Sequence, residues 1–218
     1  MRISSVPYQR TWRGADLTEK EPIMREMNVL LLIMALGVIS GCAENSALIK
    51  ASSMSVRSDV FQELKDGGPI PPGYADLRIT TSLKTHKPGI YSEIDIHGTP
   101  EYRLLINVDG QAVLLHGSLQ KENSEPQGLR DSEAGEGIRY QFNKKLRLNA
   151  GTHRLVVAFP DDGVAVEREI TLPDGNNSLV LEPHYGATPG KQRPGFNGST
   201  SFSEGIKGFW IVLNGRPM

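Results

Sequence analysis

The stretch Tyr102–Leu115 reads YRLLINVDGQAVLL, and its pattern decides the fold class. Tyr102, Leu104, Ile106 and Val108 fall on one face of an extended chain, with Arg103 and Asn107 on the other. Asp109-Gly110 follows, then a second apolar run, Gln111–Leu115. Asp-Gly between two such runs predicts a tight hairpin, because a type I′ turn needs positive φ at both central residues.

The same period continues downstream. In HRLVVAF, His153, Leu155, Val157 and Phe159 share a face; after Asp161-Asp162-Gly163, so do Val164, Val166, Ile170 and Leu172, interrupted by Arg168. This predicts a second hairpin. Pro173-Asp174-Gly175-Asn176-Asn177 predicts a further turn, Ser178–Glu182 a strand, and Phe209–Leu213 a last strand before Asn214-Gly215. About seven to nine short strands at regular spacing, with no long amphipathic helix between them, indicate an all-β chain built as an antiparallel β-sandwich, with a closed barrel as the alternative. Two stretches break the pattern. Gln120–Gly137 (QKENSEPQGLRDSEAGEG) is charged and nearly devoid of apolar residues, and is expected to be an exposed, mobile loop. Gly186–Gly205 (GATPGKQRPGFNGSTSFSEG) is rich in Gly, Pro and Ser and carries Lys191, Arg193, Phe196 and Phe202.

Upstream, Gly67-Gly68-Pro69-Ile70-Pro71-Pro72-Gly73 interrupts regular structure and sets the expected domain boundary, with the sandwich at 74–218 and a tether and linker at 42–73. Within the tether Val56, Val60, Phe61 and Leu64 stand at helical spacing, which predicts a short helix. Further back, Val29–Ile39 (VLLLIMALGVI) is an uncharged run of eleven residues. It is shorter than the roughly 20 apolar residues of a membrane-spanning helix and fits the apolar region of a secretory signal at 24–41. Residues 1–23 carry both charge signs and show no periodicity, so translation is expected to start at Met24 or Met27.

The apolar run ends in Ile39-Ser40-Gly41-Cys42, which resembles the lipobox of bacterial lipoproteins. The resemblance implies cleavage between Gly41 and Cys42, a diacylglyceryl group on the Cys42 thiol, and acylation of the new amine. It also accounts for the one cysteine of the chain. By analogy with proteobacterial lipoproteins, Ala43 in place of aspartate implies the outer membrane. The block Leu146–Leu181, around Ala150-Gly151-Thr152-His153-Arg154-Leu155-Val156-Val157, resembles the PEGA-type, immunoglobulin-like modules of envelope proteins, without the Pro-Glu-Gly-Ala signature itself. That resemblance implies an immunoglobulin-like sandwich. The lipobox, Pro71–Leu77 and Ile206–Phe209 together resemble uncharacterised bacterial lipoproteins, which implies an envelope location and no known activity.

Composition and motifs narrow the function classes. A net charge of −1 gives no global basic field for nucleic acid. There is no Gly-x-Ser-x-Gly elbow, metal-protease motif, paired-cysteine zinc motif or phosphate-binding glycine loop, so neither enzyme activity nor a cofactor is expected. Glu93, Asp95 and His97 alternate along Ile90–Gly98. Read as a strand, they project from one face opposite Ile94 and Ile96, but residues two apart then stand about 7 Å apart, too wide for three ligands on one ion; no metal site is expected. Two function readings remain. In the first, the sandwich is a protein-interaction or structural module anchored to the membrane through Cys42, meeting an envelope protein through loops and strand edges. In the second, it binds a glycan by aromatic stacking, with Tyr185, Phe196, Phe202 and Trp210 as candidates. In either case Lys191, Arg193, Phe196, Phe202 and Trp210 are the expected contact residues.

Overall fold

Eleven strands form among the residues described by a computed structural model of the chain, which are 44–65, 68–90, 92–127, 131–186 and 201–218. They are β1 (Phe61–Leu64), β2 (Tyr74–Thr85), β3 (Arg103–Val108), β4 (Gln111–His116), β5 (Ser118–Ser124), β6 (Gly135–Asn149), β7 (Gly151–Phe159), β8 (Val164–Leu172), β9 (Gly175–Tyr185), β10 (Ile206–Leu213) and β11 (Arg216–Pro217). The larger sheet runs β1-β6-β2-β9-β10-β11, with β5 also paired to β6; the smaller runs β4-β3-β7-β8. The fold is an all-β sandwich.

The alternation in the sequence explains the core. Leu104, Ile106, Val108, Leu155, Val157, Phe159, Ile170 and Leu172 line the inner face of the smaller sheet. They meet Leu77, Ile79, Leu83, Tyr140, Phe142, Leu146, Leu148, Leu179, Leu181 and Ile211 of the larger. Burying such side chains contributes roughly 1.5–3 kcal/mol each. Phe159 sits at the aromatic centre, stacked on Tyr102 at 5.5 Å and edge-on to Phe142 and Phe209.

The turn chemistry holds where the sequence predicts it. Asp109 and Gly110 take φ of 48° and 90° and close the β3–β4 hairpin. The β7–β8 hairpin closes through a short 3-10 turn, Pro160–Asp162, ending on Gly163 at φ 65°. One pairing is not antiparallel: β2 and β9 run parallel from Ala75↔Gly175 to Thr81↔Leu181.

Three expectations are corrected. Val56, Val60, Phe61 and Leu64 do not form a helix; Phe61–Leu64 is β1, paired with β6, and Phe61 is in the core. The helix lies upstream, at residues 44–53 (α1), where half-buried Leu48 and Ile49 and buried Ser52 form the inward stripe. Ten residues make a marginal helix in isolation, and α1 is held by the sheet it meets. Leu105, Asn107, Val156 and Ala158 are buried on the face of the smaller sheet turned away from the core, and there Asn107 Nδ2 donates to Ser52 O at 2.9 Å. The chain that follows is stitched to the hairpin. Val56 N donates to Gly110 O, Ala112 N donates to Ser55 Oγ, and Gln111 Oε1 accepts from Val60 N and Phe61 N. Segment 44–64 is thus part of the folded unit, ahead of the Pro/Gly stretch.

The second correction is Gln120–Gly137. Residues 120–124 lie in β5 and 135–137 in β6, paired to each other. Strand pairing needs main-chain groups rather than apolar side chains, and here cross-strand charges support it: Arg139 donates to both carboxylate oxygens of Glu122 at 2.7 and 2.8 Å. The third correction is Ile90–Gly98, whose described residues, 90 and 92–98, form bends and turns rather than a strand, with Ile94 88% exposed.

Candidate functional site

The turns from His86 to Tyr102, between β2 and β3, place two histidines and an aspartate side by side. Asp95 begins the arrangement as an Asx turn: its Oδ1 accepts His97 N at 3.0 Å, which bends the chain. The same Oδ1 stands 2.6 Å from His97 Nδ1, and Oδ2 stands 2.5 Å from His86 Nε2. One ligand atom from each of His86, Asp95 and His97 lies within 4.8 Å of the others. Glu93, the third member of the sequence pattern, is exposed and outside this group.

The network continues across the sandwich end. His97 Nε2 is 3.2 Å from Asp162 Oδ1, on the β7–β8 turn, and Tyr102 OH donates to Asp162 Oδ2 at 2.5 Å. Ile206 N donates to Asp162 Oδ1 as well. Side-chain exposures of 8% for His86, 12% for Asp95, 16% for His97 and 6% for Asp162 leave the cluster mostly buried. Gly98, at φ 77°, lets the turn fold back against His86 and Pro88.

Electrostatics follow from the packing. Burial by itself favours neutral Asp95, but hydrogen bonds from His97 N and both imidazoles outweigh it and hold the carboxyl down at about 2. Burial disfavours the charged form of His97, but the flanking Asp162 and Asp95 prevail and raise it to about 9. Tyr102 is pushed well up, by burial first and then by the Asp162 charge. The arrangement is a line of alternating imidazoles and carboxylates, His86–Asp95–His97–Asp162, backed by a phenol. Donors of this kind, two imidazole nitrogens and a carboxylate, suit a borderline divalent ion.

In sequence, Asp95 and His97 stand at a spacing that an extended chain would keep too wide for one ion. Nothing in the sequence groups His86 and Asp162 with them, since both arrive through tertiary contact. The available signal was the density of turn formers around them, Pro88-Gly89 and Gly98-Thr99-Pro100, which argues against an extended chain.

The other predicted site residues separate. Gly41, Cys42, Lys191, Arg193 and Phe196 lie outside the described residues. Phe202 is in the core, on a 3-10 turn under which Lys84 Nζ sits 4.8 Å from the ring centre. Tyr185 is buried, its hydroxyl accepting from Lys84 N and donating to Glu133. Trp210 is 62% exposed on β10, opposite Glu182 and 6.4 Å from the His184 ring. Among the described residues no helix is long and apolar enough to cross a membrane. No protein-family model matches the chain, and no curated protein or solved structure matches it at a significant level.

Proposed function

We propose that the chain is an envelope lipoprotein, anchored through lipid on Cys42 at the outer membrane, whose sandwich serves as a protein-interaction or structural module. The observation that carries this reading is how soon the fold begins after Cys42. The described fold begins at residue 44. Helix α1 begins at residue 44 and is bonded to the smaller sheet through Asn107 and Ser52. Two residues reach at most about 7 Å, so lipid on Cys42 would hold the sandwich directly against the bilayer. Such a module presents its sheets and loops to partners at the membrane surface. Stable anchoring takes two or more acyl chains, which the lipobox resemblance supplies.

The test is mass spectrometry of the detergent-extracted protein. An acylated N-terminus at Cys42, with Cys42→Ser leaving an uncleaved precursor, supports the reading. A processed N-terminus elsewhere, or release from membranes without detergent, defeats it. Cross-linking in intact envelopes then identifies the partner.

The glycan reading keeps one support. Trp210 presents an aromatic ring on the outer face of the larger sheet, with Glu182 and His184 beside it to hydrogen-bond hydroxyls. A glycan array that responds to native protein and not to Trp210→Ala would favour it over the interaction module.

A further inference from the structure

We propose that His86 Nε2, the Asp95 carboxylate and His97 Nδ1 form a three-ligand site for a divalent first-row transition ion of the zinc class, with Asp162 as the positioning carboxylate behind His97. The site is independent of the anchoring and interaction reading above, and its donors all come from one end of the sandwich.

Three observations carry it. The first is convergence. Three side chains from two separated points of the chain bring their donor atoms within 4.8 Å of each other. Two nitrogens and an oxygen at a shared point are the donors zinc takes in exchangeable sites, where three protein ligands leave a fourth position for water. Imidazole also sets the metal class, because calcium and magnesium prefer all-oxygen shells.

The second is the backing of His97. A metal-bound histidine almost always donates its other ring N–H to a carboxylate, a backbone carbonyl or water, which fixes the tautomer and the ring plane. His97 has this arrangement: Nδ1 faces Asp95 and Nε2 faces Asp162 Oδ1. Asp162 is itself fixed by Tyr102 OH and Ile206 N. The result is a hydrogen-bonded line from hydroxyl to carboxylate to imidazole that ends at the proposed ion.

The third is the construction of the wall. Tyr102 packs on the His97 ring at 5.0 Å and stacks on Phe159 in the core, and the His86 and His97 rings lie 4.9 Å apart. Gly98 allows the close approach that holds the two histidines together, since a β-carbon there would stand 2.9 Å from His86 O. The ligands are thus supported from the sandwich itself.

The chemistry balances simply. The carboxylate now shares one proton with each ring at 2.5 and 2.6 Å. The ion takes the place of those protons: each ring presents a bare nitrogen to the metal and keeps one proton on its other nitrogen, and any proton then in excess goes to solvent. Ligand bonds of about 2.0–2.2 Å at tetrahedral angles place donor atoms roughly 3.4 Å apart. Asp95 must therefore withdraw by about 0.8–0.9 Å from each ring, and the widest donor pair, up to 4.8 Å apart, must close by as much as about 1.4 Å, through rotations of the three side chains.

The test uses the full chain, without a histidine tag, in detergent and stripped by chelator. Co2+ is titrated in the visible range and then displaced with Zn2+. The expected result is one Co2+ per chain with the strong absorption bands of a four-coordinate site, lost on adding Zn2+, and a higher Tm with Zn2+. His86→Gln and His97→Gln should each weaken binding at least about a hundred-fold, and Asp162→Asn should weaken it about ten- to hundred-fold with the band positions kept. His116→Gln and His184→Gln should bind as the native chain does. The proposal is overturned if the native chain shows neither absorption nor Tm shift at millimolar metal. Binding that survives both His86→Gln and His97→Gln, or that is lost with His116 or His184, overturns it too. Should the histidine variants not fold, NMR of the native histidine rings decides. Zn2+ must move the signals of His86 and His97 and leave those of His116 and His184; any other pattern refutes the site.

Discussion

A β-carbon placed on Gly98 would stand 2.6 Å from Pro88 Cδ and 2.8 Å from Pro88 N, because the turn 95–100 folds back against the end of β2. Backbone atoms cannot yield as a flexible side-chain tip can, and φ at Gly98 is 77°. Gly98→Ala is expected to destabilise by roughly 2 kcal/mol and to separate His97 from His86. Denaturant unfolding measures the first; the NMR shifts of the two histidine rings report the second.

The Asp109-Gly110 turn serves two partners. It closes the β3–β4 hairpin, and Gly110 O accepts Val56 N from the segment that follows α1. A β-carbon on Gly110 would meet Val56 Cγ2 at 2.8 Å, at a φ of 90°. Gly110→Val is therefore expected to cost about 2–3 kcal/mol and to loosen residues 52–60. Amide exchange of Val56 and Ala112 should quicken in the variant while the β2–β6 ladder stays protected.

Lys84 is fully buried, with Nζ donating to Ser124 Oγ, Glu133 O and Gly135 O at 2.8, 2.9 and 2.6 Å and with the Glu122 carboxylate 3.6 Å away. Its three donors tie the end of β5, at Ser124, to Glu133 and Gly135 at the start of β6. Lys84→Met keeps the length and removes the donors; Glu133 O keeps its bond from Ser124 Oγ, but Gly135 O and Ser124 Oγ lose theirs from Nζ. The expected loss is about 3 kcal/mol, together with faster protease cleavage between Ser124 and Gly135. A melting temperature within a degree of the native value would show that the fold does not depend on this tie.

Acid should weaken the larger sheet in a defined window. The Arg139 guanidinium holds Glu122 down to about 2 from its ordinary 4.5, and Arg147, then Lys145, hold Asp76 below 3.8. A carboxyl whose folded value is depressed stabilises fully above its unfolded value and loses that contribution as pH falls through the folded one. Tm should therefore be insensitive to these two groups above about pH 5 and should fall between roughly pH 4.5 and 2. Glu122→Gln should lower Tm at neutral pH and make the acid slope shallower.

The parts of this fold that were legible in sequence are those where short-range chemistry decides. Asp109-Gly110 and Gly163 demand positive φ, and the alternation in Leu104–Val108 and Leu155–Phe159 needs a buried face, so hairpins and core follow. The illegible parts depend on distant partners. Val56 to Leu64 has the spacing of a helix, yet Phe61 finds a strand partner in Leu148 of β6. Polar Lys121 and Glu122 pair with Ile138 and Gly137 through main-chain bonds that composition does not reveal. The candidate site was hidden by an assumption of extended geometry. Asp95 and His97 converge because Asp95 accepts the His97 amide, and His86 and Asp162 join them only once the two sheets are packed.

The parallel pairing of β2 with β9 bears on how the chain is made. β2 is the middle of the larger sheet, and its partner on one side, Gly175–Tyr185, lies a hundred residues later in sequence, as the register Ala75↔Gly175 requires. Antiparallel neighbours β2 and β6 can meet earlier, but the Ala75–Thr81 edge of β2 stays unpaired until residues 175–181 are available. Long-range pairing of this kind carries the loop-closure cost before the reward and slows folding. A chain delivered N-terminus first would thus remain open, and threadable, for most of its passage, and the sandwich would close late, after residue 181 had arrived.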